Sequence, residues 1–305
     1  MKKVGLLFPG QGTQEIGMGR SLVEHSETAA KLFQEASNVV GYDLSKLCFE
    51  GPMETLTKSR YCQPALFVHQ FAAAQVLRER IAGDEIGLAM GLSIGELTAL
   101  AIAEVVDFRT GLRIAQKRGD FIQAACDMSD GAMVSILGAP FDSVQKLCNL
   151  CDVELSNING PGQVVLVGER QKINTAAEMA AEVTGGKAVI LNVAGAFHSS
   201  FMKPAQERFG EFLKKIKFRA PRIQWVSNVT GKVEWNPVTI QELCIQQIVS
   251  PVRWWDCMCT AKREGFQYFY QCGTGKTLVN MAKRIDNEFK VLPFGKHEDS
   301  VQFET

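Results

Sequence analysis

Ser93 stands in a Gly-x-Ser-x-Gly sequence, between an apolar run at 86–90 and a helix-forming run at 96–103. This order is typical of a buried strand that turns sharply into a helix. In such a turn the flanking glycines leave the serine hydroxyl exposed, and the next amide, that of Ile94, can face a developing oxyanion. The placement predicts a nucleophilic serine, and the alternative is a tight turn without chemistry.

A nucleophilic serine needs a base, and the chain contains four histidines, His25, His69, His198 and His297. His198 follows a predicted strand where a small predicted domain returns to a larger one, and clefts form at such boundaries. The other three fall in a polar turn, an amphipathic helix and the C-terminal tail. His198 is therefore the expected base, and the alternative is a structural histidine bonded locally. We expect its pKa to lie near the ordinary value of about 6.5.

Arg118 lies at the rim of the apolar stripe of a helix predicted over 108–126. A buried arginine is costly unless it meets an anion, and its planar guanidinium suits a carboxylate. The alternatives are a salt bridge to an internal Asp or Glu, or a side chain that reaches solvent. Arg118 is thus a candidate for binding an acidic group.

Three glutamines, Gln11, Gln63 and Gln247, are uncharged polar residues that could line a pocket. Gln11 lies in the loop 9–12 that follows a predicted strand, and glycines there allow the backbone to approach a ligand closely. The alternative for each is a solvated side chain.

Two further patterns resemble ligand sites and fail on their spacing. Residues 273–277 resemble the end of a phosphate-binding P-loop, but the required first glycine is replaced by Tyr270. The cysteine pairs 148/151 and 257/259 lack a second Cys or His pair at the spacing of a zinc finger. We expect a simple turn at 273–277, no metal site and no bound cofactor.

Composition limits the class of protein. With 305 residues, 46% hydrophobic and 22% charged, the chain is typical of a globular protein with one large domain and room for a smaller insert. Its 33 basic and 33 acidic residues balance, which argues against nucleic acid or an anionic membrane as the main partner.

The N-terminal apolar stretch is broken by Pro9-Gly10, so no export segment or membrane span is predicted. An odd number of cysteines, nine, favours reduced thiols. We expect a cytoplasmic monomer.

The order of predicted elements changes at residue 131. Before it, helices are predicted at about 22–39 and 65–80, the second with Pro64 in its first turn. From 131 to 193 the order is strand, helix, two strands, helix and strand, which is the ferredoxin-like βαββαβ unit. The last residues, 297–305, are polar and are expected to fray.

These patterns together predict an α/β protein of two domains. The large domain is expected to be α/β-hydrolase-like with a parallel sheet, built from residues 1–128 and 199–305. The small domain, residues 129–198, is expected to be an inserted ferredoxin-like unit.

In these motifs the chain resembles the malonyl-CoA:acyl carrier protein transacylases, a family that includes the acyltransferase domains of polyketide synthases. The resemblance extends over nearly the whole chain, and its motifs occur in order at residues 8–14, 63–65, 91–96, 116–119, 159–165, 195–199, 226–229 and 247–254. Each motif is modest alone, and the ordered set is highly specific.

The resemblance implies a role for each candidate residue. Ser93 would be the nucleophile, His198 its base, Arg118 the clamp for the malonyl carboxylate, and the amides of Gln11 and Ile94 the oxyanion hole. The implied reaction is malonyl transfer from malonyl-CoA to the phosphopantetheine thiol of holo acyl carrier protein, in fatty-acid or polyketide biosynthesis, without a cofactor.

The resemblance also implies that Gln247 lies beside His198, with Gln63 at the substrate, and that a backbone carbonyl near Gln247 orients the imidazole. A carboxylate stays an alternative, because three aspartates lie between Ser93 and His198 in the sequence, namely Asp127, Asp130 and Asp152.

Two positions bear on substrate choice. The family usually has histidine immediately before the serine, whereas this chain has Leu92. Since the base that the resemblance implies is His198, we expect activity to survive, with a change in the polarity of the pocket floor. Phe197 resembles the malonyl-selective form of its motif.

Two rival functions use the same residues: a hydrolase that clears acyl groups from carrier proteins, and an inactive scaffold that binds carrier protein.

Overall fold

The computed structural model describes residues 3–81 and 85–303. Its strands are β1 Lys3–Phe8, β2 Glu85–Gly91, β3 Gly131–Leu137, β4 Glu154–Gly160, β5 Gln163–Glu169, β6 Lys187–Ile190, β7 Gln224–Trp225, β8 Tyr268–Cys272 and β9 Lys290–Phe294. Its helices are α1 Arg20–His25, α2 Glu27–Val40, α3 Leu44–Glu50, α4 Met53–Thr57, α5 Ser59–Arg80, α6 Ile94–Ile102, α7 Phe108–Cys126, α8 Phe141–Cys151, α9 Arg170–Thr184, α10 Lys203–Leu213, α11 Pro237–Gln246, α12 Trp254–Arg263 and α13 Thr277–Ile285.

The larger sheet is parallel and has the strand order β7-β2-β1-β8-β9. Alternate residues of β1 enter different cores: Leu6 packs in one apolar cluster and Leu7 in the other. Both faces of this sheet are therefore covered, as a parallel sheet requires. Because Phe8 pairs with Gly91, the chain leaves β1 and β2 at the same edge of the sheet.

The smaller sheet is antiparallel, with the order β4-β5-β3-β6. Helices α8 and α9 pack on one of its faces around Val134 and Ile136. Its other face carries Met133 and Val165 and packs against Ala196. This is the predicted ferredoxin-like unit, so the predicted fold class is confirmed. The boundaries of the predicted domains stay a prediction, and both sheets lie within them.

Two predicted helices differ from those observed. The helix predicted at 22–39 is two helices, because Ser26 ends α1 and its side chain accepts from the amide of Ala29 at the start of α2. The helix predicted at 65–80 begins earlier, at Ser59, so Pro64 lies inside α5. This helix is buried along most of its length, and its packing offsets the cost of an interior proline. The helix predicted at 108–126 is confirmed.

The C-terminal tail was expected to fray, and within the described residues it does not. The ring of His297 stacks on His25 with 4.3 Å between ring centroids, and Phe303 packs against Tyr268 and Tyr270. The remaining residues of the predicted fraying tail, 304–305, lie outside the described part of the chain. Within the described ranges, helices that combine the length and the apolarity needed to span a bilayer are absent.

Candidate active site

Ser93 occupies a strained turn between β2 and α6. Its backbone has φ 56° and ψ −110°, a left-handed φ that a serine rarely adopts. A Cβ at Gly91 would lie 2.1 Å from the carbonyl carbon of Gly95, and a Cβ at Gly95 would lie 2.1 Å from the carbonyl oxygen of Phe8. Only glycine fits at these two positions, so the motif read from the sequence is a steric requirement of the turn.

The structure brings His198 and Ser93 together. His198 Nε2 lies 2.7 Å from Ser93 Oγ, and His198 Nδ1 lies 2.9 Å from the backbone carbonyl oxygen of Gln247. Because a carbonyl oxygen only accepts, Nδ1 carries the hydrogen and Nε2 is left to accept the proton of the serine hydroxyl. This arrangement is that of a serine and its base.

The group that orients His198 is therefore a backbone carbonyl. The three aspartates that the sequence left as alternatives are engaged elsewhere. Asp127 accepts from Gln123, Asp130 pairs with Arg170, and Asp152 pairs with Lys172.

The pKa of His198 departs from its expected ordinary value. Burial, followed by the nearby positive charge of Arg118, lowers the pKa of His198 to about 4, and the expectation of about 6.5 was wrong. The side chain is buried in the cleft, which the sequence could not show. The imidazole is consequently neutral near pH 7 and able to accept a proton.

Arg118 reaches the site from the middle of α7 and is 1% exposed. Its Nη2 donates to Ser93 Oγ at 3.1 Å and to Gln247 Oε1 at 2.7 Å, and its Nη1 donates to Gln63 Oε1 at 2.8 Å. Burial lowers the pKa of Arg118 to about 10, so it stays cationic at neutral pH.

Neither alternative for Arg118 is found in the described part of the chain. The side chain does not reach solvent, and no carboxylate within the described residues forms a salt bridge with it. Its Nε is buried and has no acceptor among these residues. Its hydrogen-bond partners are neutral, and the charge of Glu96 acts on it only from beyond salt-bridge distance. A buried cation placed in this way beside a reactive hydroxyl can bind an anionic group.

Gln11 and Ile94 lie on the two chain segments that leave the same edge of the sheet. The Gln11 side chain donates to the carbonyl of Thr57 and to Ser59 Oγ, both at 3.3 Å. The backbone amides of Gln11 and Ile94 have no acceptor within residues 3–81 and 85–303. Both are free to donate to a bound group.

A cavity of about 210 Å³ lies between the two sheets and includes Ser93, His198 and Arg118 in its wall. Gln11, Gln63, Leu92 and Phe197 also line it. Gln247 does not line the cavity and contacts it through Arg118 and His198. The rest of the wall is largely apolar, and includes Ile122, Met133, Val165, Leu191, Met202 and Ile248.

Two buried polar residues of the site were missed by the sequence reasoning as functional candidates. Glu96 is 1% exposed in the first turn of α6, and Asn228 is fully buried after β7. Asn228 Oδ1 accepts from the amide of Ser93 at 2.8 Å. A charged residue three positions after the serine, on a helix otherwise uncharged, was the available signal for Glu96.

Metal-ligating chemistry is not apparent at the site. Within the described residues there is no group of three or more His, Cys, Asp or Glu side chains arranged to hold a metal ion. All nine cysteines are free thiols, including both close pairs.

Known proteins resemble this chain over nearly its whole length. A family model described as an acyl transferase domain matches residues 6–270. The malonyl CoA-acyl carrier protein transacylase of Bacillus subtilis is 35% identical over 297 residues, covering 96% of this chain and 93% of the relative. The polyketide biosynthesis malonyl CoA-acyl carrier protein transacylase PksC of the same organism is 34% identical, with 94% and 98% covered.

A solved structure shares the fold in full. It is a type II polyketide synthase acyl-carrier protein in complex with its malonyl-transacylase, and the matched chain has a TM-score of 0.93 and 33% identity, with 97% of this chain and 96% of that chain covered.

Proposed function

The chain belongs to the acyl transferase domain family and is an acyltransferase, and we propose that it transfers malonyl from malonyl-CoA to the phosphopantetheine thiol of an acyl carrier protein. The proposed intermediate is a malonyl ester of Ser93. The relatives include proteins of fatty-acid and of polyketide synthesis, and the proposal covers either pathway.

The environment of Arg118 is the observation that supports malonyl as the acyl group. Its guanidinium is buried, cationic and 3.1 Å from Ser93 Oγ, and no carboxylate of the described residues forms a salt bridge with it, although the charge of Glu96 acts on it from a greater distance. A malonyl group attached to Ser93 brings a free carboxylate to this position. A neutral acetyl group gains nothing from a buried cation, so malonyl is preferred.

The first half-reaction acylates Ser93. His198 Nε2 takes the hydroxyl proton as Ser93 Oγ attacks the thioester carbonyl, and the new C–O bond gives a tetrahedral oxyanion. The amides of Gln11 and Ile94 donate to that oxyanion. When the C–S bond breaks, the imidazolium returns its proton to the sulfur and CoA leaves as a thiol.

The second half-reaction repeats these steps with a different thiol. The phosphopantetheine thiol of the carrier protein gives its proton to His198 and attacks the malonyl ester. Collapse of the tetrahedral intermediate returns the proton to Ser93 Oγ and releases malonyl-carrier protein. Every proton is held by His198 in turn, so the reaction needs no metal and no bound cofactor.

The apolar wall of the cavity supports transfer over hydrolysis. Met133, Val165 and Leu191 line the space above the site and limit the room for water. Reduced thiols at all nine cysteines agree with a cytoplasmic location, which forms part of the proposal.

Intact mass after brief mixing with malonyl-CoA tests the proposal. We expect a malonyl adduct that is absent from the Ser93→Ala variant, is weaker with acetyl-CoA, and is discharged by holo carrier protein. Release of CoA without an adduct would favour the hydrolase. Neither an adduct nor free CoA, together with no labelling by a serine-directed probe, would favour the inactive scaffold.

A further inference from the structure

Glu96 is a buried carboxylate that has no part in the proton transfers described above. It lies in the first turn of α6, three residues after Ser93, and is 1% exposed. One carboxylate oxygen accepts from the backbone amide of Asn228 and the other from Nε2 of Gln247. The cost of burying a carboxylate is large unless it is bonded in this way.

Both partners of Glu96 hold Ser93 directly. Asn228 Oδ1 accepts from the amide of Ser93, and its Nδ2 donates to the carbonyl of Gly91, each at 2.8 Å. Gln247 Nε2 also donates to the carbonyl of Ser93 at 3.0 Å. The strained backbone of the serine is therefore bonded at its amide and at its carbonyl by the side chains of two residues, Asn228 and Gln247, that Glu96 bonds in turn.

Gln247 extends the same network to the other two groups. Its backbone carbonyl accepts from His198 Nδ1, and its side-chain Oε1 accepts from Arg118 Nη2 at 2.7 Å. A glutamine amide has one donor end and one acceptor end of the same shape, so a neighbour decides its orientation. Nε2 meets two acceptors, the carboxylate of Glu96 and the carbonyl of Ser93, while Oε1 meets the donor Arg118, and the three contacts together set the orientation of this amide.

We propose that Glu96 is a positioning residue that, by accepting from the Gln247 amide and from the backbone of Asn228, holds both residues in place and thereby aligns Ser93, His198 and Arg118. The inference deepens the proposed function, on which it rests for the identity of the acyl group. The alignment of Ser93 itself does not depend on that identity.

The charge on Glu96 determines whether its carboxylate can accept from both Gln247 and Asn228. Two N–H groups point at its two oxygens, which is the pattern of an ionised carboxylate. Burial raises the pKa of Glu96 to about 8, opposed by its bond to Asn228 and by Arg118. The titratable groups that face it are Arg118 from α7 and two buried thiols, Cys244 from α11 and Cys257 from α12.

The substitution Glu96→Gln tests the proposal at constant size. Gln at this position has one acceptor oxygen in place of two, so it cannot accept from both Asn228 and Gln247, and one of them loses its partner. We expect the maximal rate of Ser93 labelling by a fluorophosphonate probe to fall at least tenfold, with little change in the probe concentration that gives half-maximal rate.

The matched control is Thr184→Val, which removes a buried polar group in the small domain. Thr184 is 6% exposed at the end of α9, and its hydroxyl donates to the carbonyl of Ala180 at 2.6 Å. We expect labelling within twofold of the unchanged protein. If the two variants lose labelling in proportion to their loss of melting temperature, Glu96 is merely structural and the proposal is overturned.

Two further measurements keep the test decisive if Glu96→Gln folds poorly. Glu96→Asp retains the charge and should recover part of the labelling rate. In the unchanged protein the rate should rise as the pH passes through the pKa of Glu96, and this rise should be absent in Glu96→Gln. A pH profile without that rise would reject the requirement for an ionised Glu96.

The proposed function and this inference fail separately. Labelling of Ser93 without any malonyl adduct from malonyl-CoA would reject the malonyl assignment, while the effect of Glu96→Gln on labelling would still decide the role of Glu96. A normal malonyl adduct in Glu96→Gln at an unchanged rate would reject only the positioning role.

Discussion

The two sides of the cavity are built from different kinds of side chain. On the side of the large sheet, Ser93, Arg118 and Gln247 contact one another through hydrogen bonds that leave little freedom of position. On the side of the small sheet, Met133 and Val165 present an apolar surface beside the amides of Asn157 and Asn159. A buried polar network requires each donor to keep its acceptor, whereas an apolar wall requires only the right volume. In the proposed mechanism the large domain supplies most of the reacting groups, and the small domain contributes mainly to the shape of the space.

His198 lies where the two sides meet. The chain beside it is tied to the small sheet, since Ser156 Oγ donates to the carbonyl of Phe197 at 3.1 Å and Ser200 bonds to Glu154. Its ring is tied to the large domain through the carbonyl of Gln247. The distance from His198 to Ser93 therefore depends on both domains.

The largest expected effect is that of removing the His198 side chain, which lies where the two sides of the cavity meet. We expect His198→Ala to slow the acylation of Ser93 by about 10²–10⁴-fold, because His198 is the general base in the proposed mechanism. Single-turnover mass measurements with malonyl-CoA give the rate. His25→Ala, an exposed histidine on α1, is the control and should leave the rate unchanged. A loss of less than tenfold in His198→Ala would assign the base to another group.

Arg118→Ala should have the next largest effect, confined to the acidic substrate. Malonyl transfer should fall by about 10–150-fold, equivalent to ~1.5–3 kcal/mol for a hydrogen bond to a charged group, while acetyl transfer stays equal or increases. Competition between malonyl-CoA and acetyl-CoA measures the selectivity. Arg113→Ala, an exposed arginine of the same helix, should keep it. Unchanged selectivity in Arg118→Ala would remove its role as the carboxylate clamp.

A third effect follows from the burial of His198 between the two domains. Its pKa is lowered to about 4 in the folded protein, against about 6.5 when unfolded, so the unfolded chain binds the extra proton between these values. The free energy of unfolding should thus decrease as the pH falls from about 6.5 to about 4, by up to about 3 kcal/mol. Urea unfolding of His198→Gln beside the unchanged protein isolates this histidine, and equal slopes against pH would show that His198 is not buried as described.

The sequence predicted the site residues that depend on local patterns, namely the turn around Ser93 and the period of the helix that carries Arg118. The glycines around Ser93 are dictated by close backbone contacts, and the rim position of Arg118 follows from the period of a helix whose bounds were confirmed. The βαββαβ order was predictable because each short strand and helix of the small domain carries its own apolar pattern.

What the sequence could not show depends on contacts between distant segments. Glu96 and Asn228 are 132 residues apart, and nothing local shows that their bond exists. The pKa of His198 depends on burial by the assembled domains, and the backbone carbonyl of Gln247 has no signature in the sequence. The end of α1 at Ser26 and the interior Pro64 show that packing and capping decide helix limits that periodicity leaves open.

The smallest expected effect tests whether the small sheet closes the site. Met133 faces the cavity, whereas its neighbour Val134 faces the helices of the same domain. Both Met133→Ala and Val134→Ala should destabilise the protein, by about 1–5 kcal/mol, because each removes buried apolar volume. Only Met133→Ala should admit more water to the acylated serine, and we expect the lifetime of malonyl-Ser93 without carrier protein to shorten by about a few-fold. Intact mass followed over time measures that lifetime. Equal lifetimes in the two variants would mean that the apolar wall serves stability alone, and that water is excluded by the polar side of the cavity.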